Sequence, residues 1–266
     1  MTFIDIHTHI IPFIDDGAEN WSVALEMLRQ GVRDGIGEIV CTPHILSNQD
    51  FRREEEIFLR YEELKHKANS ENIPIEIHLG AELYIQPDLA LDRDVATLAQ
   101  NGRYFLVEFS MTMIPDFVAK KFFELIIEEK TPIIAHPERN VSILTNPLKA
   151  YDFVEKGALL QINSGSLLGQ FGQKVKTLAY QLIDANLVHV ISSDAHNADS
   201  RPLQLREAWK LVCERWDEAT ARKLFHDNPK AIIQGTVFDK GVAKPITSPK
   251  KLTIREKFNS LVEKLK

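Results

Sequence analysis

Seven short apolar runs, each followed by a stretch of helical period, recur from the first residues to about residue 234. That alternation restricts the chain to repeated β-α units on a parallel sheet. The runs predict strands at Phe3 to His7, Glu38 to Thr42, Ile75 to Leu79, Tyr104 to Phe109, Pro132 to Ala135, Ala158 to Asn163 and Val188 to Ser192. Between them, Ala24, Leu25, Leu28 and Val32 form one stripe on a helix over Ser22 to Asp34, which Gly35 stops. Ile57, Tyr61, Leu64 and Ala68 repeat the stripe, and Asn146 before Pro147 starts a further helix that runs to Gly157. Seven repeats without an edge-strand signal predict an α/β barrel one unit short of the eight-fold form, although an open doubly wound sheet has nearly the same local pattern. Residues 1–239 read as that domain, and residues 240–266 as a separate tail.

With 44% apolar and 26% charged residues, the 266-residue chain suits a folded body. No apolar run reaches the roughly 18 residues of a membrane span. The opening Met-Thr-Phe-Ile-Asp-Ile-His lacks the basic flank and apolar stretch of a secretory signal, so a cytoplasmic protein is expected. Cys41 and Cys213 are too few for a disulfide framework and read as buried free thiols. The net charge of −6 divides unevenly: beyond Asp239 eight Lys or Arg face Glu256 and Glu263, so the tail is +6 and the body −12. An acidic body does not suit a nucleic-acid binder, but it does suit carboxylates matched by bound cations.

In parallel α/β folds the functional residues gather at the carboxyl ends of the strands. Here those ends read His7-Thr8-His9, Thr42-Pro43-His44, Gly80-Ala81-Glu82, Glu108-Phe109, His136-Pro137-Glu138-Arg139 and Asp194-Ala195-His196, with Asp15 and Asp16 after the first. Alternate residues of an extended chain point the same way, so His7 and His9 can chelate one cation, and Asp194 and His196 repeat the arrangement. His78 and His189 lie inside strands and read as structural, whereas His66 and His226 fall on predicted helices at the surface. Nine candidate ligands of nitrogen and oxygen type exceed the needs of one ion, so two or three divalent ions sharing a carboxylate are expected. Ions a few ångströms apart generate hydroxide at neutral pH and clamp both oxygens of an in-line displacement, which points to phosphoester hydrolysis. Arg139 and Arg201 are placed to act as bidentate donors to phosphate oxygens. The thiolate route to phosphotyrosine hydrolysis needs Arg six positions after Cys, but positions 47 and 219 are Ser and Ala.

These strand ends, together with Asp15-Asp16-Gly17-Ala18 and Asn163-Ser164-Gly165-Ser166, resemble the polymerase and histidinol phosphatase superfamily. Within it, Asp15-Asp16-Gly17 and Ala135-His136-Pro137-Glu138-Arg139 are similar to the bacterial capsular and exopolysaccharide tyrosine phosphatases, and the likeness runs in order from residue 3 to about 235. The resemblance implies a distorted seven-stranded (β/α)7 TIM-like barrel of the PHP type and a trinuclear centre. His7, His9, Glu82 and Asp194 would hold the first ion, and Glu82 would bridge to a second held by Glu108 and His136. Asp16, His44 and His196 would hold the third. Manganese is the ion the resemblance implies, with iron, zinc, cobalt or magnesium as alternatives. The implied substrate is the phosphotyrosine tail of a tyrosine autokinase that regulates exopolysaccharide synthesis.

Arg139 and Arg201 would balance the charge growing on the phosphoryl oxygens. His44 and His196 are both candidates to assist the leaving phenolate, whose pKa of about 10 asks for no strong acid. A histidinol-phosphate or other phosphomonoester phosphatase would share the same centre, since substrate loops such as Ile45 to Phe51 and Tyr84 to Asp88 make the difference. A non-catalytic adaptor that binds a kinase tail is the non-enzyme alternative, against which stands the complete ligand set. In the tail, Ile254, Phe258, Leu261, Val262 and Leu265 share one helical face, suited to anionic membrane at the inner leaflet or to a membrane-bound kinase. A last helix packed on the barrel is the plainer reading, and no oligomeric state follows from the sequence.

Overall fold

The computed structural model describes residues 2–246. Its strands are β1 (Phe3–Thr8), β2 (Ile36–Cys41), β3 (His44–Ile45), β4 (Glu76–Leu79), β5 (Glu82–Tyr84), β6 (Tyr104–Glu108), β7 (Thr131–Ala135), β8 (Leu159–Asn163) and β9 (Val190–Ser192). Every pairing is parallel, in a three-stranded sheet β1-β2-β4 and a six-stranded sheet β3-β5-β6-β7-β8-β9. The α/β class and each of the seven expected strands are present, but the single seven-stranded barrel is not: nine segments form two sheets, with no closed ring of ladders among the described residues.

The break has a local cause. The second expected strand, Glu38 to Thr42, is β2; Pro43 has no N–H to give to a ladder, and the chain pairs again beyond it as β3. The third, Ile75 to Leu79, is β4, and β5 follows it after Gly80-Ala81, where the backbone runs so close to Leu98 that a Cβ on Gly80 would lie 3.1 Å from its Cα. Single hydrogen bonds carry the order across both gaps, from Gly80 N to Cys41 O (2.9 Å) and from Glu82 N to Pro43 O (3.1 Å). At the far edges an isolated parallel bridge joins Thr8 to Ala195.

The helices are α1 (Trp21–Asp34), α2 (Glu54–Ser70), α3 (Val118–Ile127), α4 (Val141–Thr145), α5 (Leu148–Glu155), α6 (Ser164–Leu168), α7 (Gln173–Asp184), α8 (Arg206–Arg215), α9 (Glu218–Arg222) and α10 (Asn228–Ile233). In α1 the Asn20 side chain accepts from Val23 N, Ala24, Leu25 and Leu28 are buried, and Gly35 ends the helix at φ 99°. That is a left-handed cap, which glycine adopts without strain. The large core lies between strands and helices. A smaller one unites Ile4, Ile6 and Val40 of one sheet with Leu106, Ile133, Leu159 and Val190 of the other, so the two sheets share an interior.

Cys41 is buried as expected, but Cys213 is only half-buried, because it lies on the flank of a surface helix. His66 is exposed, whereas His226 is half-buried with Nδ1 2.9 Å from Thr2 O. Packing continues past Asp239: Lys240 Nζ donates to Gly157 O (2.8 Å), Lys244 N to Ala185 O (2.8 Å), and Ile246 is buried. The helix expected over Ile254 to Leu265 lies outside the described residues. Among those described, no helix is long and apolar enough to cross a membrane.

His189 is wholly buried, and its Nδ1 accepts from Leu160 N at 3.2 Å. Burial, with the charges of Lys240 and Lys223, brings its pKa down to about 3. An unfolded imidazole titrates near 6.5, so between those values the unfolded chain binds a proton that the folded chain refuses. Stability contributed by neutral His189 is therefore intact above about pH 6.5 and is lost as pH falls toward 3, at about 1.4 kcal/mol per unit. Urea unfolding across this range should show wild type losing its advantage over His189→Asn as pH drops; a constant difference would refute the assignment.

Candidate metal centre

All nine expected ligands come together in one cluster of overlapping groups. His7 lies in β1 with His9 just beyond it, His44 opens β3, Glu82 opens β5, Glu108 closes β6, His136 follows β7, and Asp194 and His196 follow β9. His7, His9, Glu82, His136, Asp194 and His196 are buried, Glu108 and His44 are partly covered, and Asp16 is 66% exposed. The innermost atoms are closely spaced. His7 Nε2 lies 3.1 Å from His9 Nε2, both lie 3.2 Å from Glu82 Oε2, and Asp194 Oδ1 lies 3.5 and 3.7 Å from them. Ligands about 2.1 Å from a tetrahedral ion stand about 3.4 Å apart, so this spacing fits a cation at the middle.

The other donors extend the cluster on both sides. His136 Nε2 is 2.9 Å from Glu82 Oε1, and His44 Nδ1 is 3.2 Å from Glu82 Oε2 and 3.5 Å from Glu108 Oε1. Asp16 Oδ1 is 3.5 Å from Nε2 of both His44 and His196. By distance the ligand-sized groups are His7, Glu82 and His136; His7, His9 and Asp194; His44, Glu82 and Glu108; and His9, Asp16, His44 and His196. They overlap more than the three separate sets implied by resemblance, with His9 reaching the Asp16 group and His7 the His136 group. A further group, Glu38, Glu76 and His78, lies apart from the centre, and there Lys230 already binds both oxygens of Glu38 at 2.8 Å.

The rear nitrogens show what orients the rings. His7 Nδ1 meets Gln161 Oε1 at 2.9 Å, His9 Nδ1 meets Asp15 Oδ2 at 2.7 Å, and His196 Nδ1 meets Asp194 O at 3.0 Å. Each contact holds the proton on Nδ1 and turns the Nε2 lone pair inward, the arrangement of metal-binding histidines. Electrostatics agree. Burial opposes charge on His7 and His9, yet Glu82 and Asp194 around the first and Asp15 and Glu82 around the second raise both pKa values. Burial likewise opposes ionisation of Glu82 and Asp194, but His7 and His136 hold both carboxyls well below their usual range. Glu108 is pushed up to about 7 by burial and the Glu82 charge, and His196 down to about 4 by burial and His9. Two imidazolium rings with facing Nε2 atoms 3.1 Å apart would repel, and a shared cation removes that conflict.

Several side chains not singled out from the sequence complete the site. Asp15, which the sequence names beside Asp16 without a role, stands behind His9, accepts from His44 N (3.0 Å) and Gly17 N (3.0 Å), and is brought down to about 2 against its burial by His9. Gly17 is required where it is, since a Cβ there would fall 2.1 Å from His9 O. Gln161 donates to Asn163 Oδ1 (2.9 Å), and Asn163 Nδ2 to Asp194 Oδ2 (2.7 Å). Buried Asp5, pushed up to about 6 by desolvation, accepts from His7 N and Ser193 N. Glu138 turns inward and accepts from Ser166 Oγ (2.6 Å) and Asn163 N (3.0 Å). The alternation that marked His7 and His9 also marks Asp5, and it pairs Gln161 with Asn163. Phe171, which no sequence pattern marks, lies 4.3 Å under the Arg139 guanidinium.

Arg139 and Arg201 both reach the rim, at 3.0 and 2.6 Å from Asp194 Oδ2. His136 (φ 33°) and Asp194 (φ 56°) adopt left-handed backbone that costs non-glycine residues of order 1–3 kcal/mol each. The turns that leave β7 and β9 are thereby bent to aim both side chains at Glu82 and His7.

The sequence profile of a family described as capsular polysaccharide synthesis, CpsB/CapC, matches residues 3–234. The chain is 39% identical over 210 residues, 77% of its length and 82% of the relative's, to the tyrosine-protein phosphatase YwqE of Bacillus subtilis. It is 31% identical over 239 residues, 87% of its length and 98% of the relative's, to the tyrosine-protein phosphatase CpsB of Streptococcus agalactiae. A crystal structure from a study of YwqE from Bacillus subtilis and CpsB from Streptococcus pneumoniae, described as unique metal-dependent tyrosine phosphatases, superposes with a TM-score of 0.86 at 33% identity. It covers 92% of this chain and 100% of the other.

Excess manganese added to chelator-stripped protein should raise the thermal midpoint by about 10 °C, the shift expected when a ligand at a thousand times its Kd binds only the folded state. Asp15→Ala, which frees His9 behind the centre, should weaken metal affinity about tenfold by titration calorimetry. An unchanged midpoint would argue against a metal centre.

Proposed function

The chain belongs to the capsular polysaccharide synthesis CpsB/CapC family, and from that membership we propose that it is a metal-dependent protein-tyrosine phosphatase. The observation that carries the reading is the set of rear hydrogen bonds that turn Nε2 of His7 and His9 inward toward buried Glu82 and Nε2 of His196 toward Asp16. Satisfied structural histidines would spend both nitrogens on the surrounding protein. The proposed ligands are His7, His9, Asp16, His44, Glu82, Glu108, His136, Asp194 and His196. Glu82 is the bridging residue, since its two oxygens meet four of the five imidazoles. Two to three ions are proposed, manganese first, because a set of imidazole and carboxylate donors without sulfur suits it.

Divalent ions at this position supply charge neutralisation and a water acidified to work at neutral pH. The chain's own groups do the rest. Arg139 and Arg201 offer planar guanidinium donors on the Asp194 side, and a phosphate seated there would take over the hydrogen bonds they now give to Asp194. Phe171 keeps the Arg139 guanidinium in plane. Asp15 and Gln161 keep the imidazoles oriented while charge moves in front of them. His44 and His196 face Asp16 at the open side of the centre and are the groups placed to meet a departing phenolate. The substrate we assign is the phosphotyrosine tail of a tyrosine autokinase controlling capsule or exopolysaccharide synthesis. With that substrate the proposed location is the cytoplasm, and the basic character of the 240–266 sequence supports a contact with the inner face of the membrane.

Hydrolysis of a phosphotyrosine peptide should be abolished by chelation and restored by manganese, and His136→Ala should lower kcat at least about 10²-fold. Arg139→Ala and Arg201→Ala should each lower kcat/KM by about 10²-fold. Turnover of histidinol phosphate in preference to the peptide would sink the substrate assignment, and activity that survives chelation would sink the metal one.

A further inference from the structure

A cavity of about 440 Å³ opens beside the metal centre and shares Asp16, His44 and Glu108 with it, while Arg139, Arg201 and Asp194 take no part in its lining. Away from the rim its wall turns apolar, through Ile14, Ile45, Leu46 and Ile57. The size lies within the roughly 300–1,000 Å³ that hold a small organic group. Leu46 is 54% exposed at the cavity, so its side chain is open to a ligand seated there.

The wall is preformed. Asp50 Oδ2 accepts from Leu46 N (3.0 Å) and Ser47 N (2.9 Å), and Gln86 Nε2 donates to Leu46 O (2.7 Å). Asn48 donates to Asp88 O (2.8 Å), so the two segments flanking the mouth brace one another. On the opposite side Arg53 Nη1 donates to Ile14 O (2.9 Å). Asp50 and Arg53 stand in the lining beside the apolar residues, and braced backbone on both sides of that apolar patch makes it a specificity device.

We propose that this cavity is an aryl subsite that takes the phenyl ring of the substrate phosphotyrosine, with Leu46 and Ile14 against the ring. The inference rests on the phosphatase reading above. Seated so, the phosphoryl oxygens face the two arginines and the ester oxygen lies at the boundary between centre and cavity. Water adds to phosphorus, the bond from phosphorus to the phenolic oxygen breaks with its electron pair on that oxygen, and the phenolate takes up a proton to leave as tyrosine beside inorganic phosphate. Phosphoserine and phosphothreonine bring no ring to fill the slot, so the cavity selects aryl esters.

The test uses the metal-loaded full chain with phenyl phosphate as substrate and inorganic phosphate, which fills only the centre, as competitive inhibitor. Leu46→Ser should lower kcat/KM for phenyl phosphate about tenfold, the effect of removing apolar contact from a binding pocket, and Leu46→Met should restore it to within about twofold. The inhibition constant of phosphate should stay within about twofold in both variants. Unchanged kcat/KM in Leu46→Ser, or a parallel loss of phosphate affinity, would overturn the aryl subsite while leaving the phosphatase reading in place. Failure of the unsubstituted protein to hydrolyse phenyl phosphate or a phosphotyrosine peptide would overturn both.

Discussion

The crowding of imidazole nitrogens and carboxylate oxygens around Glu82 is the constraint to which the rest of the molecule answers. His7 Nε2, His9 Nε2 and Glu82 Oε2 stand within 3.2 Å of one another in a buried setting, where unmatched charge is costly. Such a cluster is tolerable only if its charges balance and its rings are held. The balance comes from carboxylates facing imidazoles, together with a cation for which the geometry has room. The holding comes from Asp15, Gln161 and the Asp194 carbonyl, each bound to a rear nitrogen. Left-handed backbone at His136 and Asp194 is part of the same arrangement, since a relaxed strand end would carry those side chains away from Glu82.

Much of this was legible in the sequence because strand ends translate directly into space. Alternation in an extended chain fixes which residues share a face, and parallel strands put all their carboxyl ends on one rim. The shared facing of His7 and His9 follows from the first fact, and the rim position of Glu82, Glu108, His136 and Asp194 from the second. What stayed hidden depends on loop geometry. Asp15 and Asp16 are neighbours in sequence with opposite roles, one buried behind His9 and the other exposed before His44 and His196, and only the Gly17 turn against His9 decides which is which. Glu138 sits in a motif full of site residues yet points inward to brace Asn163 and Ser166. Phe171 reaches Arg139 from a loop with no periodic pattern to mark it.

The fold was legible to the same depth. Seven apolar runs gave seven strand positions, but hydropathy does not record whether a ladder is continuous. The expected strands end at Thr42 and Leu79, and nothing in the hydropathy marks that pairing resumes as β3 and β5 beyond Pro43, which lacks a donor, and Gly80-Ala81, which is drawn aside by close contact with Leu98. Both interruptions fall just before a rim residue, His44 and Glu82 respectively, and that coincidence has a physical reading. A regular ladder fixes the facing of each side chain by parity, so a residue that must turn toward a centre out of register needs a break before it.

The two interruptions also divide the rim by function. β3, set apart from β2, carries His44 at the centre and Ile45 at the cavity, with Leu46 just after it, so one short segment supplies both a candidate ligand and part of the apolar wall beside it. The segments after β7 and β9 supply the guanidinium groups instead, and those stay on the Asp194 side. A phosphate ester that lies across the rim thus meets positive donors at one end and an apolar slot at the other, with the buried cluster beneath the bond between them. Discrimination among esters then falls to the β3 segment and its bracing by Asp50, Gln86 and Arg53, while the buried cluster sets only that the ligand is an anion able to share cations. On the proposed assignment the bracing of Leu46 by Asp50 and Gln86 is separate from the hydrogen bonds that orient the imidazoles, whereas Asp15 joins the two, since it accepts from His44 N and holds His9 Nδ1.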